Sequence, residues 1–507
     1  MGILNFLSQI TANIAADITV VLFLSLMTIG SVIGVIVLLC KHADDGQAAC
    51  KKLTLALVLA VGFLLRLAFA LCVRGNRADY RLFADMFDHL RTSGLYGYYD
   101  GDASKTLYPV VYFVYLIFGS VSNATGLSDF ALGEQFMIKL PLIAADILTA
   151  FAVYKTASKY FNARIGCVLC AFMCVCPIFF VGSVLWTSPL AFTACFICFA
   201  LYFLARKNYA VTIAFATLSA FSSKEGIYIF PIIAVFSIYH IVRAARNIKT
   251  DAPRGKTLLS NEYNAVFTVP ISFVLSVTAV YLIGLFMTAS YSYNIFKYLN
   301  EFVIVPLSRW KYFTYNGLSI YALFNRNGQM PSARFPTWVF VGIFAAILLA
   351  VTCVVYFTKR NRATMVMLAA YALFTMQIYY PGSSAVGMQL SLAALAAAYA
   401  LVRDKRLLYV LFLSGLAYVV NTTGALAYAG YLNNSADYVF AELAQGYDLL
   451  KGGAAALVIT CSALCVVAHL YFTAVTVSVG MTGQKKVLCR NDRIGGSIKE
   501  FFAGKGK

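Results

Sequence analysis

The sequence predicts an all-α protein that crosses a membrane about thirteen times. Three observations carry that prediction. Of the 507 residues, 61% are hydrophobic and 12% are charged, whereas a soluble globular chain carries about 45–50% apolar and about 25% charged residues. The apolar residues come in blocks of about 17–25, the length that crosses a hydrocarbon core about 30 Å thick. The blocks are continuous rather than alternating in polarity, which excludes a transmembrane β-barrel.

Read in order, the expected spans lie near 19–40, 53–73, 138–156, 164–181, 184–204, 207–222, 226–243, 264–288, 337–358, 363–380, 385–402, 407–429 and 452–479. The stretch 107–120 is apolar but short and led by a proline, so it reads as a helix lying in the interface. Lys41 and His42 follow the first apolar run where a signal peptide would have small residues, so no cleavage is expected. Cys167, Cys170, Cys174, Cys176, Cys195, Cys198, Cys461 and Cys465 fall inside apolar runs, where they read as small buried hydrophobes.

The charges give the orientation. The segments 41–52, 155–164, 205–207, 241–263, 359–362, 403–406 and the tail after 480 hold 26 of the 40 Lys and Arg against 7 of the 21 acids. The remainder holds 14 of each sign, so the whole excess of +19 lies on one face. By the positive-inside rule that face is cytoplasmic, and the basicity requires no nucleic acid. Three outer segments are then long enough to carry chemistry: 74–137, 289–336 and 430–451. No P-loop pattern or matched pair of broken spans points to ATP-driven or secondary transport.

The first outer segment is the candidate chemical centre. Phe83, Phe87 and Leu90 form one apolar stripe on a helix expected to open at Asp79, and Asp85 and Asp88 share a face of it. A carboxylate just outside the bilayer can take a proton from an acceptor hydroxyl, or hold a divalent cation, the one candidate cofactor. The same residues also read as a helix cap, with a solvated face paired to Arg81 and Arg91. Lys224 and Glu225 at the outer edge of two spans suit function, and equally suit mutual pairing or snorkelling. Asp146 inside a span reads as a functional acid or as the partner of Lys139 or Arg66. The tyrosines and tryptophan of 289–336 suit sugar rings, but interface anchoring accounts for most of them. The four histidines are scattered, which argues against a histidine-built metal site.

The order of these features over roughly 53–430 resembles the integral-membrane glycosyltransferases of the GT-C fold, in particular polyprenyl-phosphate-sugar-dependent, mannosyltransferase-like members. The resemblance rests on Asp79 leading an amphipathic helix to Arg91, then Gly94-Leu95-Tyr96, then Tyr108-Pro109-Val110. It continues through Lys139-Leu140-Pro141, Ala145-Asp146, Trp186, Lys224-Glu225-Gly226, Tyr315-Asn316 and Tyr321-Ala322-Leu323-Phe324. The chain departs from the family pattern at Leu190, where the family has an acid four residues after the tryptophan, and at Leu107. The late His-Glu-Arg-Tyr-like motif is not legible around Tyr379–Ser384.

The resemblance implies an inverting sugar transfer on the extracytoplasmic side, with an undecaprenyl- or dolichyl-phosphate sugar as donor and a glycan, glycolipid or protein as acceptor. It implies Asp79 as base and Lys139, Lys224 and Arg309 as grips on the donor phosphate. Asp85, Asp88, Tyr108, Asp146, Trp186, Glu225, Tyr315 and Asn316 join them as expected substrate contacts. The expected organisation is an extra helix and basic loop at 1–52, a transferase core at 53–430 and a last loop, span and basic tail at 431–507. The expected location is a bacterial-type plasma membrane, or the endoplasmic reticulum in a eukaryote. A flippase or a degenerate, non-enzymatic partner subunit is the alternative.

Overall fold

A computed structural model describes residues 2–42, 52–94, 97–98, 108–127, 131–230, 232–233, 242, 264–286, 294–305, 312–330, 337–358, 362–428, 450 and 455–482. The chain is helical almost throughout these residues. Its elements are α1 (Gly2–His42), α2 (Lys52–Cys72), α3 (Arg77–Thr92), α4 (Pro109–Thr125), α5 (Ala131–Tyr160), α6 (Ala163–Val175), α7 (Leu190–Ala205) and α8 (Tyr209–Ala220). There follow α9 (Asn264–Phe286), α10 (Ile295–Leu299), α11 (Ile320–Leu323), α12 (Thr337–Thr358), α13 (Arg362–Tyr379), α14 (Met388–Val402), α15 (Lys405–Tyr428) and α16 (Ala455–Thr482). Six described helices are long and apolar enough to cross a membrane, and seven shorter apolar helices accompany them. The protein is an all-α polytopic membrane protein.

Burial sorts the helices by position. Every residue of α14 is buried, as expected of a helix that is apolar all round, and its run of alanines lets α13 and α5 approach closely. By contrast α2 buries only Gly62, Arg66 and Ala70, a stripe at four-residue spacing. Leu53, Leu57, Val61 and Leu64 on its other faces are exposed, as lipid-facing side chains would be. A side chain at Gly62 would meet Cys174 Cβ at 2.6 Å, so that crossing requires glycine. The N-terminal α1 packs on α6 and α15.

The expected spans 164–181 and 184–204 need correction. The helix of the first ends at Val175 and that of the second begins at Leu190. Between them run a 3₁₀ turn, Pro177–Phe179, and a π turn, Val181–Leu185. Pro177 and Pro189 lack the N–H a helix needs, and the residue before a proline is pushed out of the helical region. Cys176 is accordingly extended. Hydropathy cannot see this break, because the segment is buried throughout. The expected span 226–243 begins as a 3₁₀ turn, Lys224–Ile229, and most of it lies outside the described residues. Cys170, Cys174, Cys176, Cys195, Cys198, Cys461 and Cys465 are free and buried, but Cys167 is disulfide-bonded, against the expectation of a simple buried hydrophobe.

A second, smaller core sits at one end of the bundle. There α3 and α4 pack on each other and on α5, with Phe83 against Tyr115 at a centroid distance of 4.4 Å. The α3 stripe buries Phe83, Met86 and Phe87. Proline in the first turn of α4 and Gly126 in the left-handed region just beyond it bound that helix.

Candidate functional site

The loop that follows α2 meets the end of the π turn. Gly75 has φ +106°, and a Cβ there would lie 2.2 Å from the Thr187 hydroxyl, so the two segments touch backbone to backbone. The Asn76 N–H donates to the Trp186 carbonyl at 2.9 Å, and the Thr187 hydroxyl donates to the Arg74 carbonyl at 2.7 Å. Asn76 rather than Asp79 caps α3, accepting from the N–H groups of Ala78 and Asp79 at 3.0 and 3.3 Å. Asp79 therefore lies inside the first turn, where the helix dipole favours an anion. Its carboxylate is half-buried and accepts the Trp186 indole N–H at 2.9 Å. Two residues 107 positions apart thus meet where the first turn of α3 approaches the end of the π turn. We call this contact the rim junction.

Asp85 and Asp88 stand apart from it on the exposed face of α3. Arg81 Nε lies 3.7 Å from Asp85, and Arg91 donates to Asp88 at 2.9 Å. Partial burial pushes the Asp85 carboxyl up, and Arg81 pulls it down. This is the solvated, paired face.

A second polar group forms where α4 begins. Ser223 caps the Lys224–Ile229 turn through the Gly226 N–H at 3.3 Å. A Cβ on Gly226 would lie 1.9 Å from the Ser219 carbonyl oxygen, so the turn demands glycine. Lys224 Nζ donates to the Gly382 carbonyl at 2.8 Å and lies 3.9 Å from Glu225. Its side chain is 29% exposed. Tyr108 precedes α4, whose Val110 N–H donates to the Phe221 carbonyl at 3.2 Å. Burial, and then the charge of Glu225, push the Tyr108 phenol well up. Tyr108, Lys224 and Glu225 are therefore neighbours. On α7, Thr193 Oγ1 lies 2.8 Å from Ser222 Oγ and 3.1 Å from Ser223 Oγ. One turn earlier, Ser188 accepts the Leu190 N–H at 3.3 Å. The start of α7 thus ties this group to the rim junction.

Two expected contacts lie inside the bundle instead. Lys139 is fully buried; its ammonium donates to the Val184 carbonyl at 2.7 Å and to the Val73 carbonyl. Asp146 accepts from Arg66 Nε at 3.3 Å, from the Ser183 hydroxyl and from Gln389 Nε2 at 3.5 Å. Arg66 in turn donates to the carbonyls of Cys174 and Met173 at 2.5 and 2.8 Å and lies over the Phe180 ring. Of the two partners expected for Asp146, Arg66 is the one it meets.

Tyr315 and Asn316 belong to a small structure in the second outer segment. Strand β1 (Thr314–Tyr315) pairs in parallel with β2 (Ser383–Ser384). Asn316, at φ +51°, is fully buried. Its side-chain oxygen accepts from Asn327 and from the Leu450 N–H at 2.7 and 3.0 Å, and its carbonyl accepts from Asn421 at 2.7 Å. These bonds make Asn316 a pin. Tyr315 is half-buried, with its ring 6.0 Å from that of Tyr312. Arg309 lies outside the described residues. Leu190, where the family carries an acid, packs in the main apolar core.

Among the described residues, no group of three or more His, Cys, Asp or Glu is arranged to hold a metal ion. Sequence reasoning missed Asn76, although an asparagine just before a helix is an N-cap signal, and it missed Thr187 and Gly382, whose partners are backbone carbonyls or a lysine far away in the chain. No curated protein matches the chain. The comparison with family models supplies a match that contains Lys139, Asp146, Trp186, Lys224 and Glu225 and begins after Asp79. Over residues 128–260 the chain matches the model of the dolichyl-phosphate-mannose-protein mannosyltransferase family, membrane glycosyltransferases of the GT-C type.

Proposed function

We propose that the chain is an inverting hexosyltransferase that moves a sugar from an undecaprenyl or dolichyl phosphate to an extracytoplasmic glycan, glycolipid or protein. The observation that carries the proposal is the half-buried Asp79 carboxylate held by the Trp186 indole at 2.9 Å. One carboxylate oxygen takes the indole proton donor, which fixes the direction of the other. Asp79 takes the proton of an acceptor hydroxyl, whose oxygen attacks the anomeric carbon as the bond to the phosphate breaks. The leaving group is the polyprenyl phosphate, and a cation at the mouth stabilises its charge. Lys224, partly exposed beside Tyr108 and Glu225, is the cation assigned this role. Residues 53–430 make up the transferase core in this reading.

Incubating purified protein with radiolabelled polyprenyl-phosphate mannose tests the proposal through release of free polyprenyl phosphate. No release with this or other polyprenyl-phosphate sugars would favour a non-enzymatic partner subunit, the reading supported by Leu190 in place of an acid. Repeating the assay with a chelator separates Asp79 as base from Asp79 as a cation ligand, since only the second loses activity. The charge excess on the opposite segments supports an extracytoplasmic rim. A reporter after Lys256 should then be cytoplasmic and one near Asn327 extracytoplasmic; finding both on one side would refute that orientation.

A further inference from the structure

We propose that Lys139 is a positioning residue, whose buried ammonium sets the approach of Trp186 to Asp79. The inference rests on the reading of Asp79 as the base. It begins at the end of α2, where the last carbonyls of the helix have no intrahelical partner. Two side chains one turn apart on α5 supply partners. Gln135 Nε2 donates to the carbonyls of Ala70 and Val73 at 2.6 and 3.0 Å, and Lys139 also donates to Val73.

The same ammonium donates to the Val184 carbonyl at 2.7 Å, inside the π turn. Val73 leads directly into the loop that delivers Asp79, and Val184 into the segment that delivers Trp186. One amino group therefore ties together the two stretches of chain that meet at the rim. Neither stretch has slack. Gly75 is in the left-handed region against the Leu185 and Trp186 carbonyls, at 2.8 and 2.9 Å from a built Cβ. Thr187, fully buried, has φ +67°, a strained conformation for a β-branched residue. Such strain persists only where the surroundings over-determine it. The Thr187–Arg74 and Asn76–Trp186 bonds hold the junction from above, and Lys139 holds it from below.

A buried lysine is costly in an apolar interior unless its donors are used. A methionine would fill the same space but would leave the Val184 carbonyl without this donor, releasing the π turn from α2. A displacement of about 1 Å at a reacting group costs about a hundredfold in rate.

The test uses full-length protein in which Trp310→Phe and Trp338→Phe leave Trp186 as the sole tryptophan. Asp79→Ala in that background gives the emission of an indole that has lost its carboxylate partner. Lys139→Met, eluting as a monodisperse species, should move Trp186 emission toward that reference. It should also lower release of polyprenyl phosphate about a hundredfold with the KM for donor little changed. Lys139→Arg should recover part of both. Unchanged emission with lost activity would overturn the inference, because Lys139 would then act on substrate directly. A shifted emission in a protein whose parent never releases polyprenyl phosphate would sink the enzymatic reading and leave the positioning role standing. If Lys139→Met does not fold, Lys139→Gln keeps a donor at the same position but shortens its reach to the Val73 and Val184 carbonyls. Emission unchanged in that variant would overturn the inference as well.

Discussion

Asp79 keeps access to solvent and accepts the indole of Trp186, whereas Asp146 is 4% exposed and accepts from Arg66, Ser183 and Gln389. The segment 181–186 touches both carboxylates, Asp146 through Ser183 and Asp79 through Trp186. The rim acid is partly open to solvent, and the inner acid is buried among side chains of the protein. Polarity within a membrane span therefore does not by itself identify chemistry. What distinguishes the two is their access to solvent.

The largest effect that would break this comparison is on stability. Asp146→Ala leaves the Arg66 guanidinium buried without its carboxylate, and removing one partner of a buried pair costs about 3–5 kcal/mol. Thermal unfolding in detergent should show a large fall in Tm, accompanied by loss of yield; an unaltered Tm would mean that Asp146 is not structural. Next comes Asp79→Asn, which keeps the shape of a side chain in the first turn of α3. It should express and unfold normally while turnover drops by at least about a hundredfold. Full transfer activity in that variant would place the base elsewhere.

Lys224 sharpens the rim side of the comparison. Lys224→Ala should weaken donor binding about tenfold, the weight of one hydrogen bond to a charged group, and Lys224→Arg should retain part of it. Equilibrium binding of a fluorescent polyprenyl phosphate measures this, and equal affinity in the alanine variant would leave Lys224 with only its bond to the Gly382 carbonyl. The smallest effects belong to Asp85→Asn and Asp88→Asn, which break exposed pairs worth about 0.3–0.5 kcal/mol. Turnover and Tm should stay near the parent values; a large loss of transfer from either would draw the exposed face of α3 into the site.

Much of this was legible in the sequence. The amphipathic α3 follows from Phe83, Phe87 and Leu90, and the spans follow from hydropathy, because both patterns depend on side-chain type alone. The Arg66–Asp146 pair was one of two partnerships that charge suggested. The course of the chain from Cys176 to Pro189 was not legible from hydropathy, although its two prolines marked it. Lys139 could not be separated from Lys224 by sequence, since its partners are carbonyl oxygens that every residue carries. The left-handed Thr187 leaves no signal at all, because its conformation is imposed by Gly75 and Arg74 from another loop.

The pin at Asn316 has a consequence for the order in which the chain assembles. Its bonds reach 105 residues forward to Asn421 and 134 forward to Leu450. Neither can form during synthesis until those residues have emerged from the ribosome. The pairing of β1 with β2 and the Asn316–Asn327 bond can close earlier, but the bonds to Asn421 and Leu450 close only after α15 has been made, and contacts of such long sequence separation close slowly. The pin at Asn316 is thus completed late in biogenesis, once residue 450 has been made.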